Sequence, residues 1–463
     1  MIPISAYAGK SVAVFGLGRS GASAARALAA GDAEVLVWDD DPARRAALEG
    51  ERILAVEPSA RTWADVEAVV LSPGVPLTHP EPHVVVRLAE KLGAQVLGDI
   101  ELFARTRPSG AVVSITGTNG KSTTTALIGH LLAATGRTVQ VGGNLGTPVL
   151  DFDPLGGNGV YVLEMSSYQI DLTRSLRPKV VVLLNITADH IDRHGSMDGY
   201  VAAKRRLLEM ASADAALVIG IDDAHCAGIA AAMRDAGRRV MEVTIGRVPT
   251  IGYAAADGAV FRDGKQVADL GGIDSLRGAH NWQNAACAFA AVAAMGVPDA
   301  EIAAAMHSFP GLVHRMEPIG TVDGVTFVND SKATNAEATA KALASYDRIY
   351  WIAGGLAKAG GIDPLRPLFG RVAKAFLIGD AATDFAATLG GDVANEICDD
   401  LRAAVRAAHA AALGDRGGVV LLSPACASFD QFPDFEARGD AFRALVADLA
   451  SAGNGPQRAG GAR

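Results

Sequence analysis

Two segments of the same design constrain this chain more than anything else in it. In each, a short β-branched run meets glycine and passes at once into a helix-forming stretch. In the first, residues 12–15 run into Gly16-Leu17-Gly18-Arg19-Ser20-Gly21, with a helix expected over 21–30. In the second, residues 111–116 run into Gly117-Thr118-Asn119-Gly120-Lys121-Ser122, with a helix expected over 121–134. A strand that feeds a helix through a glycine turn is the opening half of a parallel βαβ unit. Its recurrence marks the start of a second α/β block.

The alternation continues along the chain. Strands are expected at 34–38, 68–71, 160–164, 180–185 and 217–219, with alanine-rich helical stretches between them. Phe309-Pro310-Gly311 is a turn signal, and beyond it the pattern restarts at 325–329, 348–353, 375–378 and 419–423. The expected class is α/β in three domains: an N-terminal Rossmann-like domain over 1–98, a central P-loop-type ATPase domain with a parallel-rich sheet over 99–311, and a C-terminal Rossmann-like domain over 312–463. The chain has 463 residues, and at roughly 100–200 residues per domain that length suits two to four domains. The Gly, Ala and Arg-rich tail from about Ser451 is expected to fray.

Composition removes several function classes. The formal charge of -9 argues against a broad nucleic-acid or anionic-membrane surface. No apolar run approaches the roughly 20 residues of a membrane span, and the N-terminus lacks the basic and apolar regions of a signal peptide. Cys226, Cys287, Cys398 and Cys426 are scattered, with no Cys-x-x-Cys pair, so neither a zinc site nor a disulfide framework is expected. A reducing cytoplasm fits best.

The first glycine segment matches G-x-G-x-x-G, and Asp39 follows at the end of the next strand. That is the dinucleotide fingerprint. Its physics is less selective than its label, because glycines and a helix N-terminus serve any nucleotide diphosphate, including a UDP-sugar. Ser72-Pro73-Gly74 ends the third strand of the block and offers a second edge to the same ligand. The segment alone leaves a nicotinamide cofactor and a UDP-sugar both open.

The second segment holds the Gly-Lys-Ser core of a P-loop, although Ile115 stands where the first glycine of G-x-x-x-x-G-K-[ST] would fall. Gly117 and Gly120 turn successive N–H groups toward a phosphate, Lys121 brings a positive charge, and Ser122 offers a hydroxyl to Mg²⁺.

Further motifs follow in order: Gly142-Gly143-Asn144-Leu145-Gly146, Leu163-Glu164-Met165-Ser166-Ser167-Tyr168-Gln169, Ala188-Asp189-His190, Tyr200 to Lys204, Gly278-Ala279-His280-Asn281-Trp282-Gln283-Asn284, His314-Arg315, Asn329-Asp330-Ser331-Lys332-Ala333-Thr334-Asn335, and Ser423-Pro424-Ala425-Cys426-Ala427-Ser428-Phe429-Asp430-Gln431-Phe432. With the Gly-Thr-Asn-Gly-Lys-Ser-Thr loop, this order resembles the Mur ligase family over nearly the whole chain. The last two runs resemble its glutamate-adding branch, and the Asp-Asn-Pro-Arg signature of the diaminopimelate- or lysine-adding branch is missing from the sequence. Gly354-Gly355-Leu356-Ala357-Lys358 keeps the lysine but not the acidic residue of the branch's Gly-Gly-Asp-x-Lys pattern.

The resemblance implies an ATP-dependent ligase that joins UDP-N-acetylmuramoyl-L-alanine to D-glutamate through an acyl phosphate, with ADP and phosphate released. It implies a cytoplasmic monomer. Lys121, Glu164, His190 and Lys204 would be catalytic, and two Mg²⁺ ions would lie near Ser122, Glu164, His190 and Lys204, the lysine as a carbamate formed with CO₂. Gly117, Thr118, Asn119, Gly120, Lys121, Ser122 and Thr123, with Asn281, Asn284, Arg315 and Asp330, would hold ATP. The UDP substrate would meet Gly18, Arg19, Ser20, Asp39, Ser72, Pro73, Gly74, Asn144, Ser166 and Gln169. D-glutamate would meet Lys332, Thr334, Lys358, Ser428 and Phe435. The third domain would close on the second and exclude water.

Overall fold

The computed structural model describes residues 1–453 apart from 49, 51, 359 and 416, so the tail expected to fray lies outside the described residues from position 454. The chain forms two compact units, Met1–Gly272 with Asn281–Phe309, and Ile273–His280 with Pro310–Arg463.

The first unit holds two sheets. Strands β1 (Ser11–Phe15), β2 (Glu34–Trp38), β3 (Ile53–Ala55), β4 (Val66–Leu71) and β5 (Gln95–Leu97) form the first, in the order β3-β2-β1-β4-β5. All its pairings are parallel. The chain runs outward from β1 to β3 and then crosses to the other side of β1 as β4. The strand order therefore reverses between β1 and β4, and at such a switch point the loops leaving neighbouring strands part to form a crevice. Those two loops carry Gly16–Gly21 and Ser72-Pro73-Gly74.

The second sheet has nine strands: β6 (Ala111–Thr116), β7 (Val139–Gly143), β8 (Val160–Glu164), β9 (Val180–Leu183), β10 (Ala216–Gly220), β11 (Arg239–Ile245), β12 (Tyr253–Ala256), β13 (Ala259–Arg262) and β14 (Lys265–Asp269), in the order β14-β13-β12-β11-β10-β9-β6-β8-β7. Pairing is parallel from β7 to β12 and antiparallel from β12 to β14. The antiparallel edge departs from the expected alternation of parallel strands and crossover helices. Strand β6 is flanked on both sides and fully buried from Val112 on, as the unbroken apolar run of a central parallel strand requires. One apolar core runs beneath both sheets, from Val12, Val14 and Leu28 through Phe103 and Tyr161 to Leu163, Leu183 and Leu207.

The second unit holds β15 (Glu317–Val322), β16 (Val325–Asn329), β17 (Ile349–Gly354), β19 (Val372–Ile378), β20 (Asn395–Ile397) and β21 (Gly418–Leu422) in one sheet, ordered β15-β16-β21-β17-β19-β20. Only β15 pairs antiparallel within it. Short strands β18 (Leu356–Ala357) and β22 (Cys426–Ala427) pair beside it. Among the described residues, no helix is long and apolar enough to cross a membrane.

Candidate active site

The switch point of the first sheet opens into a cavity of about 460 Å³ whose lining includes Gly18, Arg19, Ser20, Asp39, Ser72, Pro73, Gly74, Asn144 and Gln169. Residues from two domains thus meet on one cavity, although they lie far apart in sequence. Gly16 adopts a φ of 86°, and a Cβ there would come 2.8 Å from that of Ser72. The Ser72 hydroxyl donates to the Gly16 carbonyl across 2.6 Å, which locks the two glycine-rich edges together. Asp39 accepts from the backbone N–H groups of Leu17 (2.6 Å) and Asp41 (2.9 Å). Burial opposes its ionisation, but these donors and Arg44 outweigh that and hold its carboxyl below the usual range.

Ser166 does not line this cavity. It N-caps helix Ser167–Asp171 in a capping box: its hydroxyl accepts from the Gln169 N–H at 3.3 Å, and the Gln169 Oε1 accepts from the Ser166 N–H at 3.2 Å. Ser166 therefore orients Gln169. Arg44, which sequence reasoning missed, does line the cavity, as does Asp40 of the Trp38-Asp39-Asp40 run at the end of β2.

In the phosphate-type loop, Gly117 and Gly120 adopt φ values of 154° and 85°, and Gly120 N-caps helix Lys121–Ala134. Asn185, at the end of the neighbouring strand, accepts from the N–H groups of Thr118 and Asn119 at 2.8 and 2.9 Å. Lys121 curls back so that its Nζ donates to the carbonyls of Thr118 (2.7 Å) and Gly117 (3.1 Å). The helix N-terminus and this lysine bring N–H groups and positive charge to one place. Asn281 and Asn284 share a face of helix Ala279–Ala294 and are joined at 3.1 Å. Asn284 packs so closely on Gly120 that a Cβ there would overlap its amide oxygen. The structure thus brings Asn284 to the loop itself.

Beside the loop, β8 delivers Glu164 in register with Ile115 and Gly143. Glu164 is buried; Asn144 donates to its Oε1 across 2.7 Å, and its Oε2 has no partner. A buried carboxylate oxygen with no donor is costly unless a cation meets it. His190 caps the short helix Ile191–His194 in a left-handed conformation, with its Nε2 3.3 Å from Asp189. Burial, with the charges of Lys121 and Lys204, outweighs Asp189 and lowers its pKa, which favours the neutral imidazole that can bind a metal.

Lys204 lies on helix Met197–Met210, is only 1% exposed, and donates from Nζ to the Gly117 carbonyl across 2.8 Å. Burial, reinforced by the nearby Lys121 charge, lowers its pKa to about 7. Among the described residues no three His, Cys, Asp or Glu side chains form a metal-type cluster. The donors that these elements carry are instead one buried carboxylate, one imidazole and an amine close to neutrality, with Ser122 in the first turn of helix Lys121–Ala134. They suit Mg²⁺, which prefers oxygen ligands and retains waters, once the amine bears a carboxylate.

In the second unit, Asp330 is fully buried, and its two oxygens accept from Met316 N–H (3.1 Å) and the Ser423 hydroxyl (2.8 Å). Burial raises its pKa to about 7. Arg315 is partly exposed. The Lys332 Nζ sits 3.8 Å from the centre of the Phe435 ring, which joins two of the residues expected to hold D-glutamate. Ser428 is buried, its carbonyl accepting from Gln431 and Phe432, while Thr334 is partly exposed and Lys358 exposed. Arg438 escaped sequence reasoning. It is buried, and it donates to the Ser331 hydroxyl and carbonyl (3.0 and 2.9 Å) and to the Cys426 carbonyl (3.1 Å). It thereby ties together the two motif segments that carry Lys332 and Ser428.

Three family descriptions match the chain in sequence order: "Mur ligase MurD-like, N-terminal domain" over residues 10–98, "Mur ligase middle domain" over 115–292, and "Mur ligase, glutamate ligase domain" over 314–426. The UDP-N-acetylmuramoylalanine–D-glutamate ligase of Caulobacter vibrioides is 52% identical over 468 residues, covering 98% of this chain and 99% of the relative. That of Brucella abortus is 53% identical over 476 residues, covering 99% and 100%. Among solved structures, the UDP-N-acetylmuramate-alanine ligase MurC of Thermotoga maritima aligns with a TM-score of 0.60 at 19% identity, covering 96% of this chain and 99% of that one. The UDP-N-acetylmuramoylalanyl-D-glutamyl-2,6-diaminopimelate–D-alanyl-D-alanyl ligase of Acinetobacter baumannii aligns at 0.57 and 17%, covering 89% and 86%. At those identities the likeness speaks for the fold alone.

Proposed function

The chain belongs to the Mur ligase family, it is an ATP-dependent UDP-N-acetylmuramoylalanine–D-glutamate ligase of peptidoglycan precursor synthesis, and we propose that it works through an acyl phosphate built beside Lys121, Glu164, His190 and Lys204. A carboxylate is a poor electrophile for an amine, so it must first be activated. One oxygen of the alanine carboxylate attacks the γ-phosphorus of ATP, and the bond to ADP breaks. The D-glutamate nitrogen then attacks the acyl carbon and gives up a proton. The tetrahedral intermediate collapses by breaking the bond to phosphate, which leaves with an oxygen that began on the carboxylate.

Each step brings anions together, so the site must supply positive charge already in place. The N–H groups of the loop 117–122 and the Lys121 ammonium do so at the phosphates. Mg²⁺, when bound near Ser122, Glu164, His190 and Lys204, supplies Lewis-acid neutralisation of the phosphate charge. An unmodified ammonium would repel Mg²⁺. With a pKa near 7, the Lys204 amine is substantially neutral at physiological pH, and it adds to CO₂ with loss of a proton to give a carbamate, which is a carboxylate on a long arm.

The cavity between β1 and β4 takes the UDP moiety, with Gly18, Arg19, Ser20, Asp39, Ser72, Pro73, Gly74, Asn144 and Gln169 on its walls and Ser166 setting Gln169. Asn281, Asn284, Arg315 and Asp330 serve ATP. Lys332, Thr334, Lys358, Ser428 and Phe435 serve D-glutamate, whose two carboxylates need two sets of donors. The enzyme acts in the cytoplasm as a monomer.

The observation that carries this reading is the Lys204–Gly117 contact, taken with the unpartnered oxygen of Glu164 on the strand paired with Ile115. The test is ADP release with UDP-N-acetylmuramoyl-L-alanine, Mg²⁺-ATP and a panel of D- and L-amino acids. D-glutamate alone should support turnover; equal turnover with L-glutamate or diaminopimelate overturns the substrate assignment.

A further inference from the structure

Arg193 joins two functional segments that sequence reasoning treated separately. Its guanidinium donates from Nη1 to the Gly74 carbonyl (2.8 Å) and from Nη2 to the Val75 carbonyl (2.9 Å), with the Pro73 carbonyl at 3.5 Å. A guanidinium presents its donors in a rigid planar fork, so gripping successive carbonyls fixes both the position and the tilt of that loop. Residues 73–75 form a wall of the cavity at the switch point.

The other end of the connection is the loop that carries His190. Arg193 lies in the same short helix that His190 caps, and its N–H donates to the His190 carbonyl across 3.0 Å. Its guanidinium stacks over the Tyr168 ring at 4.5 Å. That ring also contacts the His190 imidazole, 4.9 Å between centroids. Two residues further on, Gly195 with φ 76° lets the cavity-side loop come close, since a Cβ there would lie 2.5 Å from the His79 ring. A simple interdomain staple could sit anywhere on this interface. This one ends on the wall of one candidate site and, through Tyr168, on a candidate ligand of the other.

We propose that Arg193 is a positioning residue that couples the wall of the UDP cavity to the loop carrying His190, so that seating of the UDP substrate sets the geometry of the phosphoryl-transfer site. Arg193 is not among the residues that line the cavity. It acts through Pro73, Gly74 and Val75 on one side and through Tyr168 and His190 on the other. The inference rests on the ligase reading above.

The test measures Arg193→Met and Arg193→Lys beside wild type in the ADP-release assay, varying UDP-N-acetylmuramoyl-L-alanine, Mg²⁺-ATP and D-glutamate in turn and recording Tm. Misplacing reacting groups by about an ångström costs up to about 100-fold in rate. For Arg193→Met, kcat should therefore fall by about 10- to 100-fold, the KM for the UDP substrate should rise, and the KM for D-glutamate and the Tm should stay at wild-type values. Arg193→Lys keeps the charge but loses the fork, and should recover little of the rate. Should the methionine variant not fold, the lysine variant carries the same comparison. Wild-type kcat in either folded variant overturns the proposal, as does a loss of rate matched by a fall in Tm and a rise in every KM. Failure of the wild type to turn over would count against the ligase reading, whereas the coupling stands or falls on the ratio of variant to wild type.

Discussion

The Lys204 Nζ donates to the Gly117 carbonyl across 2.8 Å, although 87 residues separate the two in sequence. That contact ties a buried amine to the backbone of the phosphate-type loop. Burial, then the Lys121 charge, lower the Lys204 pKa from its usual value to about 7. The neutral amine, the form that adds CO₂, predominates above that pH and is lost as pH falls through it. At limiting CO₂, kcat should drop on the acid side of about pH 7 and be raised by added bicarbonate. Lys204→Ala should be nearly inactive and partly restored by acetate or another small carboxylate, while Arg or Gln at 204 should not restore activity. A rate indifferent to bicarbonate, together with electron density for a bare amine in the active Mg²⁺-bound enzyme, would rule the carbamate out.

Lys121 should act on the phosphates and not on the UDP substrate. Lys121→Ala is expected to lower kcat by about 100- to 1,000-fold, the scale seen when one charge-stabilising donor is removed. Calorimetry should show unchanged UDP-substrate affinity. A near-normal kcat would mean that another cation serves the phosphates.

Gly18 and Gly21 lie in one motif but should fail differently. No atom lies within 4 Å of a Cβ added at Gly18, whereas one added at Gly21 overlaps the Gly16 carbonyl oxygen. Gly18→Val should leave Tm unchanged and fill part of the cavity, weakening UDP-substrate binding. Gly21→Ala should cost about 1–3 kcal/mol of stability, the usual penalty for overpacking. Tight NADH binding by the wild type, or normal UDP-substrate affinity in Gly18→Val, would contradict the assignment of the cavity.

Lys332 is proposed to meet the incoming amino acid. Lys332→Ala should raise the KM for D-glutamate and leave that for the UDP substrate near its wild-type value. A rise confined to the UDP substrate would move Lys332 out of the amino-acid site.

What could be read from sequence was local. The strand Ala111–Thr116 and helix Lys121–Ala134 fall where the β-branched run and the glycine punctuation put them, because both signals act within a few residues. The edge β12 to β14 was missed: Tyr253-Ala254-Ala255-Ala256 is alanine-rich and carries no β-branched signal. The turns that join these strands, Asp257-Gly258 and Asp263-Gly264, were passed over as well, although both positions of each take positive φ and Asp-Gly is the residue pair of a tight hairpin. Lys204 sits in a Lys-Arg-Arg run that reads as a solvated helix face, and only packing shows it buried. Arg193 and Arg438 were illegible for a related reason. Their partners are backbone carbonyls, which leave no trace in residue type.

The most direct test of the central claim follows one oxygen atom. UDP-N-acetylmuramoyl-L-alanine labelled with ¹⁸O in its alanine carboxylate is turned over with Mg²⁺-ATP and D-glutamate, and the phosphate released is examined by mass spectrometry. An acyl phosphate that collapses on amine attack must leave one labelled oxygen in each phosphate. Phosphate free of label, with amide product still formed, would contradict the account.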